Sequence, residues 1–82
     1  MKLKVLTPIF AESASKLVHA VGQYETTVLI RKDHWVIDAK SLLGLLAISL
    51  QPGDVIELSV EDGTEEVIND LVNIQLFERN GN

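Results

Sequence analysis

The sequence has no cysteine, only two prolines and few aromatic residues (5%). Without cysteine the chain forms no disulfide and has no thiolate that could act as a nucleophile or a metal ligand. No apolar run approaches the roughly 20 residues that a membrane-spanning helix needs. The apolar part of the N-terminus is also too short and too broken for a signal peptide. We therefore expect a cytoplasmic protein with no membrane partner.

Basic residues are scarce relative to acidic ones. Seven Lys and Arg residues stand against twelve Asp and Glu residues, which gives a net charge of −5. Nucleic acids and anionic lipids bind basic surfaces, and no cluster of basic residues is present, so neither is expected as a partner. The 82 residues, 46% of them hydrophobic, suit one globular domain over residues 1–82.

The chain also lacks the common motifs of catalysis. It has no Gly-rich phosphate loop, no paired histidines at metal-ligand spacing and no local Ser/His/Asp set. His19 stands alone beside the apolar stripe of a predicted helix, so we expect it to face solvent. The sequence therefore predicts a protein that is not an enzyme and that holds no metal or cofactor.

Hydrophobic periodicity predicts the order β-α-β-β-α-β-α. Period-two alternation or β-branched runs predict four strands, and i, i+3, i+4 spacing predicts three helices. The strands are expected over residues 2–6, 26–31, 35–38 and 55–60, and the helices over residues 10–24, 42–50 and from a cap at Thr64 onward. We expect an α+β, two-layer open-faced sandwich, with a four-stranded antiparallel sheet covered by three helices, and a frayed end over residues 78–82.

The helix after Ser41 is apolar nearly all the way round, so its outward leucines are expected to be buried or to meet a partner. Gly44 within it suggests close approach by another backbone. Ser41 itself has two interpretations. As a plain N-cap it contributes roughly 0.5–2 kcal/mol. As a phosphorylation site it would place a phosphate against unpaired helical N–H groups.

The segment Asp38-Ala39-Lys40-Ser41-Leu42-Leu43-Gly44-Leu45-Leu46-Ala47 and the element order resemble the HPr-like phosphocarrier family. This family includes the histidine-containing phosphocarrier HPr of the bacterial phosphotransferase system and its regulatory paralogue, the catabolite repression HPr-like protein. The resemblance extends from residue 4 to about residue 71. It implies the HPr fold, and it matches Ser41 to the serine that HPr kinase/phosphorylase modifies to make a corepressor of a catabolite control transcription factor. It also implies that Lys40, Leu42 and Leu46 belong to the partner-docking patch.

The same resemblance reveals a degenerate phosphocarrier site. The family carries its phosphoryl group on a histidine before the first helix, and Phe10 stands at that position here. Glu12 replaces the family's arginine and Ser13 its proline. A phenyl ring has no nucleophilic nitrogen, and a carboxylate repels phosphate, so histidine phosphocarrier activity is not expected. His19 lies roughly 13 Å further along the helix, at 1.5 Å per residue, and is no substitute.

Two functions from different classes follow. One is an HPr-like regulatory protein of the sugar phosphotransferase system or carbon catabolite control, without histidine phosphocarrier activity and with Ser41 as a candidate site of regulatory phosphorylation. The alternative is a degenerate HPr-fold interaction module that is never phosphorylated and uses Phe10 as part of its contact surface. An apolar patch that joins Phe10 to Leu42 and Leu46 would favour a shared binding surface. A self-complementary patch would favour a homodimer over a monomer.

Overall fold

The computed structural model describes residues 1–80, in which helices and strands alternate largely as predicted. The elements are β1 (Lys2–Val5), α1 (Glu12–Gly22), β2 (Val28–Lys32), β3 (Trp35–Asp38), α2 (Leu42–Ile48), β4 (Val55–Val60), α3 (Thr64–Asn73) and β5 (Phe77–Arg79). The strands form one sheet in the order β3-β2-β4-β1-β5, and every neighbouring pair is antiparallel. The predicted α+β sandwich is confirmed, but the sheet has five strands rather than four.

The extra strand corrects the expectation that the C-terminal residues fray. β5 pairs with β1, with Val5 opposite Phe77, and Asn80 N–H donates to the carbonyl of Lys2 at 3.1 Å. The Phe77 side chain is fully buried, and this burial anchors the strand. Gly81 and Asn82, which the same expectation included, lie outside the described residues.

The helices cover one face of the sheet, and the core lies between the two layers. It is built from inward-facing strand residues and from one stripe of each helix, and no charged or polar residue among residues 1–80 is buried. The largest fully buried side chains are Phe77, Leu3, Ile9, Leu17, Ile30, Leu45, Leu50, Ile56, Ile68 and Leu71. Within this part of the chain, no helix is long and apolar enough to cross a membrane.

Each helix differs from its predicted bounds. α1 spans Glu12–Gly22 rather than residues 10–24. The differences in α2 and α3 have local backbone causes. α2 ends at Ile48 rather than Leu50, because Ser49 takes a left-handed conformation (φ 54°) and cannot continue the helix. α3 has Gly63, not Thr64, as its N-cap residue, and no side chain caps it. Gly63 tolerates its φ of 74° without a Cβ penalty, so Thr64 becomes the first helical residue.

An ion pair ties the β2–β3 hairpin to the turn that follows α2. The Lys32 ammonium lies 2.8 Å from the Asp54 carboxylate, and both side chains are about three-quarters covered. The same carboxylate accepts the backbone N–H of Gln51 at 2.9 Å. The hydrogen bond from Lys32 and that from Gln51 hold the pKa of Asp54 below its usual value.

We expect Asp54→Asn to lower the free energy of unfolding by about 1 kcal/mol at neutral pH, because it removes the charge that Lys32 contacts. Because the pKa of Asp54 is lower in the folded protein than in the unfolded chain, the ionised carboxylate stabilises the fold at pH values above the unfolded-state pKa. This stabilisation is lost as the pH falls through the folded-state pKa. The difference between wild type and variant should therefore shrink below about pH 4. Urea unfolding at neutral and acidic pH measures it, with the exposed Glu61→Gln as control. A difference independent of pH would contradict this assignment.

Candidate functional site

The loop before α1 holds Phe10 outward on a fixed backbone. Ile9, next to it, is buried, and its N–H donates to the carbonyl of Leu50 at 3.0 Å. This bond fastens the loop to the segment just after α2. Phe10 is 66% exposed, so its ring lies on the surface beside the C-terminal end of α2. A large apolar side chain in this setting can contact a partner but cannot accept a phosphoryl group.

Ser13 organises the same loop. Its hydroxyl accepts the backbone N–H of Phe10 at 2.9 Å and donates to the carbonyl of Pro8 at 2.6 Å. The Ser13 N–H in turn donates to the carbonyl of Phe10 at 3.2 Å. Ala11, which lies between Phe10 and Ser13 in the chain, adopts a φ of 52°, a conformation that costs a non-glycine residue on the order of 1–3 kcal/mol. The hydrogen bonds of Ser13 hold that conformation, so the predicted degenerate site has an ordered backbone.

The charge at this site does not favour phosphate. Glu12 is the first residue of α1 and is exposed, so its carboxylate lies where the helix dipole favours an anion. That carboxylate would repel a phosphoryl group brought to the helix N-terminus. The site therefore retains a structured loop but lacks both a nucleophile and a cation in the first turn.

Ser41 caps α2 as predicted. Its Oγ accepts the N–H of Gly44 at 3.1 Å, and its backbone is extended (φ −96°, ψ 107°), as an N-cap residue requires. Gly44 is tightly placed: a Cβ there would lie 3.2 Å from the Ser41 Oγ and 3.4 Å from the Cβ of Ile37. The sequence predicted that another backbone would lie close to Gly44, but its close neighbours are the side chains of Ser41 and Ile37. The tighter of these contacts is with the capping hydroxyl, so a side chain at Gly44 would press first on the Ser41 cap.

The leucines of α2 divide between core and surface. Leu45 and Ile48 are buried, whereas Leu46 is only partly buried and packs against the core. Leu42 is 41% exposed and Leu43 is 80% exposed. The site prediction omitted Leu43, although a helical wheel with Leu45 and Ile48 inward points it to solvent. Leu43 is the most exposed large apolar side chain in residues 1–80.

Lys40 is not a free surface cation. Its Nζ donates to the carbonyl of Tyr24 at 2.6 Å, just after α1. The Tyr24 hydroxyl donates to the Asp70 carboxylate on α3 and lies 3.3 Å from the carbonyl of Glu66. The hydrogen bond to Asp70 and burial raise the pKa of Tyr24 to about 12, so the phenol stays neutral at physiological pH. Lys40 thus joins the start of α2 to the end of α1.

Phe10 and Ser41 mark opposite ends of α2. Phe10 lies beside the segment that follows the helix, whereas Ser41 begins it, and seven residues at 1.5 Å each separate the ends by about 10 Å. Leu42 and Leu46 lie on the helix between them. The predicted residues are therefore distributed along one helix rather than gathered around one atom, which suits a docking surface better than a reaction centre.

The sequence carries a family signature over most of its length. The family model described as "PTS HPr component phosphorylation site" matches residues 7–75. This chain belongs to the PTS-HPr family. The matched range includes the loop before α1, all of α2 and the sheet strands from β2 to β4.

Individual relatives agree with this assignment. The HPr-like protein Crh of Halalkalibacterium halodurans is 27% identical over 66 residues, which cover 80% of this chain and 79% of that protein. The crystal structure of HPr-C-His from Thermoanaerobacter tengcongensis matches with a TM-score of 0.80 and 26% identity, over 90% of this chain and 86% of that chain. The phosphocarrier protein HPr of Bacillus anthracis matches with a TM-score of 0.80 and 22% identity, over 89% and 90%, and shows the shared fold.

Membership in the HPr family defines the functional class. HPr proteins are phosphocarriers that act by contacting other proteins and are not enzymes, so this protein is a phosphocarrier-like protein of the phosphotransferase system or of carbon catabolite control. The assignment of Ser41, Lys40, Leu42, Leu46 and Phe10 to functional roles stays a prediction.

Ser13→Ala should lower the free energy of unfolding by about 1–2 kcal/mol, because it removes both hydrogen bonds of the hydroxyl that holds the loop before α1. Urea unfolding measures the change. Ser15→Ala is the matched control: it is exposed on the same helix and should leave stability unchanged or slightly raised. Equal effects of the two substitutions would argue against the loop-holding role of Ser13.

Proposed function

We propose that this HPr-family protein is a cytoplasmic regulator of the sugar phosphotransferase system or carbon catabolite control that carries no phosphoryl group on histidine. The observation that carries the proposal is the exposed Phe10, held by Ile9 and Ser13 on an ordered loop. The loop keeps a defined shape while its chemistry is absent. A protein that retains the scaffold without the nucleophile acts through contacts rather than through group transfer.

The contacts are proposed to form on the α2 surface, which we define as Leu42, Leu43 and Leu46. Leu43 is almost fully exposed and Leu42 partly so, on a helix with no charged residue. Such apolar side chains on a small protein favour burial against a partner. The proposed partners are HPr kinase/phosphorylase and a catabolite control transcription factor. Phe10 extends the surface at the far end of the helix, and Lys40 positions its near end.

Ser41 is the proposed switch of this surface. Its hydroxyl is exposed at the start of α2, directly before the leucines. A phosphate there would add about −2 charge and several acceptor oxygens next to an apolar surface, which changes the chemistry that a partner must match. The neighbouring Lys40 ammonium is held by the Tyr24 carbonyl, so a partner rather than Lys40 would supply the compensating cation.

If the protein lacks phosphocarrier activity because it lacks the histidine and the arginine, restoring both residues should give it the ability to accept a phosphoryl group. Wild type should take no phosphoryl group from the phosphotransferase enzyme that phosphorylates HPr on histidine. Phe10→His with Glu12→Arg should become a detectable acceptor, because the loop already has a defined backbone. Phe10→His alone should be at least tenfold slower, because Glu12 repels the donor phosphate. Intact mass after incubation with that enzyme and its donor measures this. Phosphoryl transfer to wild type, through His19 or any other residue, would refute this part of the proposal.

Phosphorylation of Ser41 is tested by intact mass after incubation with ATP and a Gram-positive HPr kinase/phosphorylase. We expect one added phosphate on wild type and on Ser59→Ala, an exposed serine of β4, and none on Ser41→Ala. Ser41→Ala should also lose about 1 kcal/mol of stability through the missing cap, so circular dichroism must first confirm that it is folded.

Failure of wild type to accept phosphate would favour the alternative, a constitutive interaction module. The exposure of Leu43 and Phe10 without any modification is the observation that supports this second function. In that case the α2 surface would bind its partner regardless of Ser41, and Leu43→Glu would abolish binding while Ser41→Ala would not.

A further inference from the structure

β3 is an edge strand that exposes two consecutive large apolar side chains. The strand order leaves β3 and β5 at the two edges of the sheet. Proteins protect such edges with short strands and charged side chains. β5 follows this pattern, with three residues that include Glu78 and Arg79. β3 is less protected: its one charged residue, Asp38, lies at its end, and before it Trp35 is 53% exposed and Val36 is 52% exposed.

The backbone of β3 has groups turned toward a missing neighbour. Ala39 N–H donates to the carbonyl of Val28 at 2.9 Å, in register with the β2–β3 pairing. Because hydrogen-bond direction alternates along an antiparallel strand, Trp35 and Ile37 turn their backbone groups toward β2, and Val36 turns its N–H and carbonyl away. Since no strand lies beyond β3 in the sheet, these two groups of Val36 have no sheet partner, and no turn, loop or cap hydrogen bond within residues 1–80 uses them. One side of β3 is thus ready to pair with another strand.

We propose that a second copy of this chain pairs with β3 through its own β3, antiparallel about a two-fold axis at Val36. The two Val36 residues would exchange both backbone hydrogen bonds. The same register sets Trp35 opposite Ile37 of the second copy on the helix-covered face, an aromatic and β-branched pair. The two sheets join into one of ten strands.

Charge complementarity favours a second copy over an unrelated strand. His34 precedes β3 in the hairpin turn and Asp38 ends it, and both side chains are exposed. In the register centred on Val36, His34 of each chain lies opposite Asp38 of the other. An imidazole N–H can donate to a carboxylate, and no like charges oppose each other along the strand. The strand is therefore complementary to itself.

The turn between β2 and β3 has a backbone conformation that suits the hairpin ending in the edge strand β3. Asp33, rather than His34, takes the left-handed conformation (φ 53°), which aspartate tolerates better than most residues. His34 therefore has a negative φ, and it directly precedes the extended residues of β3. This proposal concerns assembly and does not depend on phosphorylation of Ser41.

Cross-linking tests the register directly, because the chain has no cysteine of its own. In a hydrogen-bonded antiparallel pair the Cα atoms lie about 5.5 Å apart, within the range of about 4.4–6.8 Å that a disulfide spans. Val36→Cys should form a disulfide-linked dimer under mild oxidation. Val55→Cys, exposed on the same sheet but on the inner strand β4, should do so at least tenfold more slowly. Equal rates would overturn the proposal.

Sedimentation velocity over micromolar to millimolar concentrations tests the noncovalent dimer. Val36→Glu and Val55→Glu are matched, since each new carboxylate has a basic residue across the strand in its own chain, Arg31 or Lys4. Wild type and Val55→Glu should dimerise alike, with a blue shift of Trp35 fluorescence. Val36→Glu should raise the dimer Kd at least tenfold, because two carboxylates meet at the axis. The proposal would be overturned if wild type stayed monomeric at millimolar concentration. It would also be overturned if Val36→Glu dimerised as well as Val55→Glu. If Val36→Glu fails to fold by circular dichroism, the cysteine pair decides.

Discussion

The close seating of α2 on β3 at Gly44 determines how the rest of this surface is arranged. With no side chain at Gly44, the helix approaches Ile37, and Leu45 and Ile48 enter the core. The rotation of the helix is then fixed, and Leu43 is left pointing at solvent. Ser41 and Gly44 also share the capping hydrogen bond. Gly44 therefore lies where the cap of α2 and its packing on β3 meet.

The loop before α1 shows that shape and chemistry can be maintained separately. The Ile9 N–H bonds the loop to the segment after α2, and the Ser13 hydroxyl bonds to the backbone of Phe10 and Pro8. Both contacts use backbone atoms of the loop, including the N–H of Phe10, and neither uses the Phe10 side chain. A change of the side chain at position 10 therefore leaves these contacts of the loop in place.

Much of the fold could be predicted from sequence, because alternation and helical spacing report which residues face the core. The N-cap role of Ser41 could also be predicted, because a serine directly precedes the apolar residues of α2. Three features were not. β5 is too short to show alternation, and only the burial of Phe77 against β1 creates it. The placement of Lys40 depends on Tyr24, sixteen residues away in the chain. The left-handed Ser49 ends α2 without a glycine signal.

The connection from Lys40 through Tyr24 to Asp70 has a consequence for partner choice. A binding protein that recognises the leucines of α2 can dock without disturbing this connection. One that needs the positive charge of Lys40 must first withdraw the ammonium from the Tyr24 carbonyl, and it loses that hydrogen bond in doing so. A partner that contacts only the apolar side chains would thus keep its full binding free energy, whereas one that contacts the Lys40 ammonium would bind more weakly by the cost of that lost hydrogen bond.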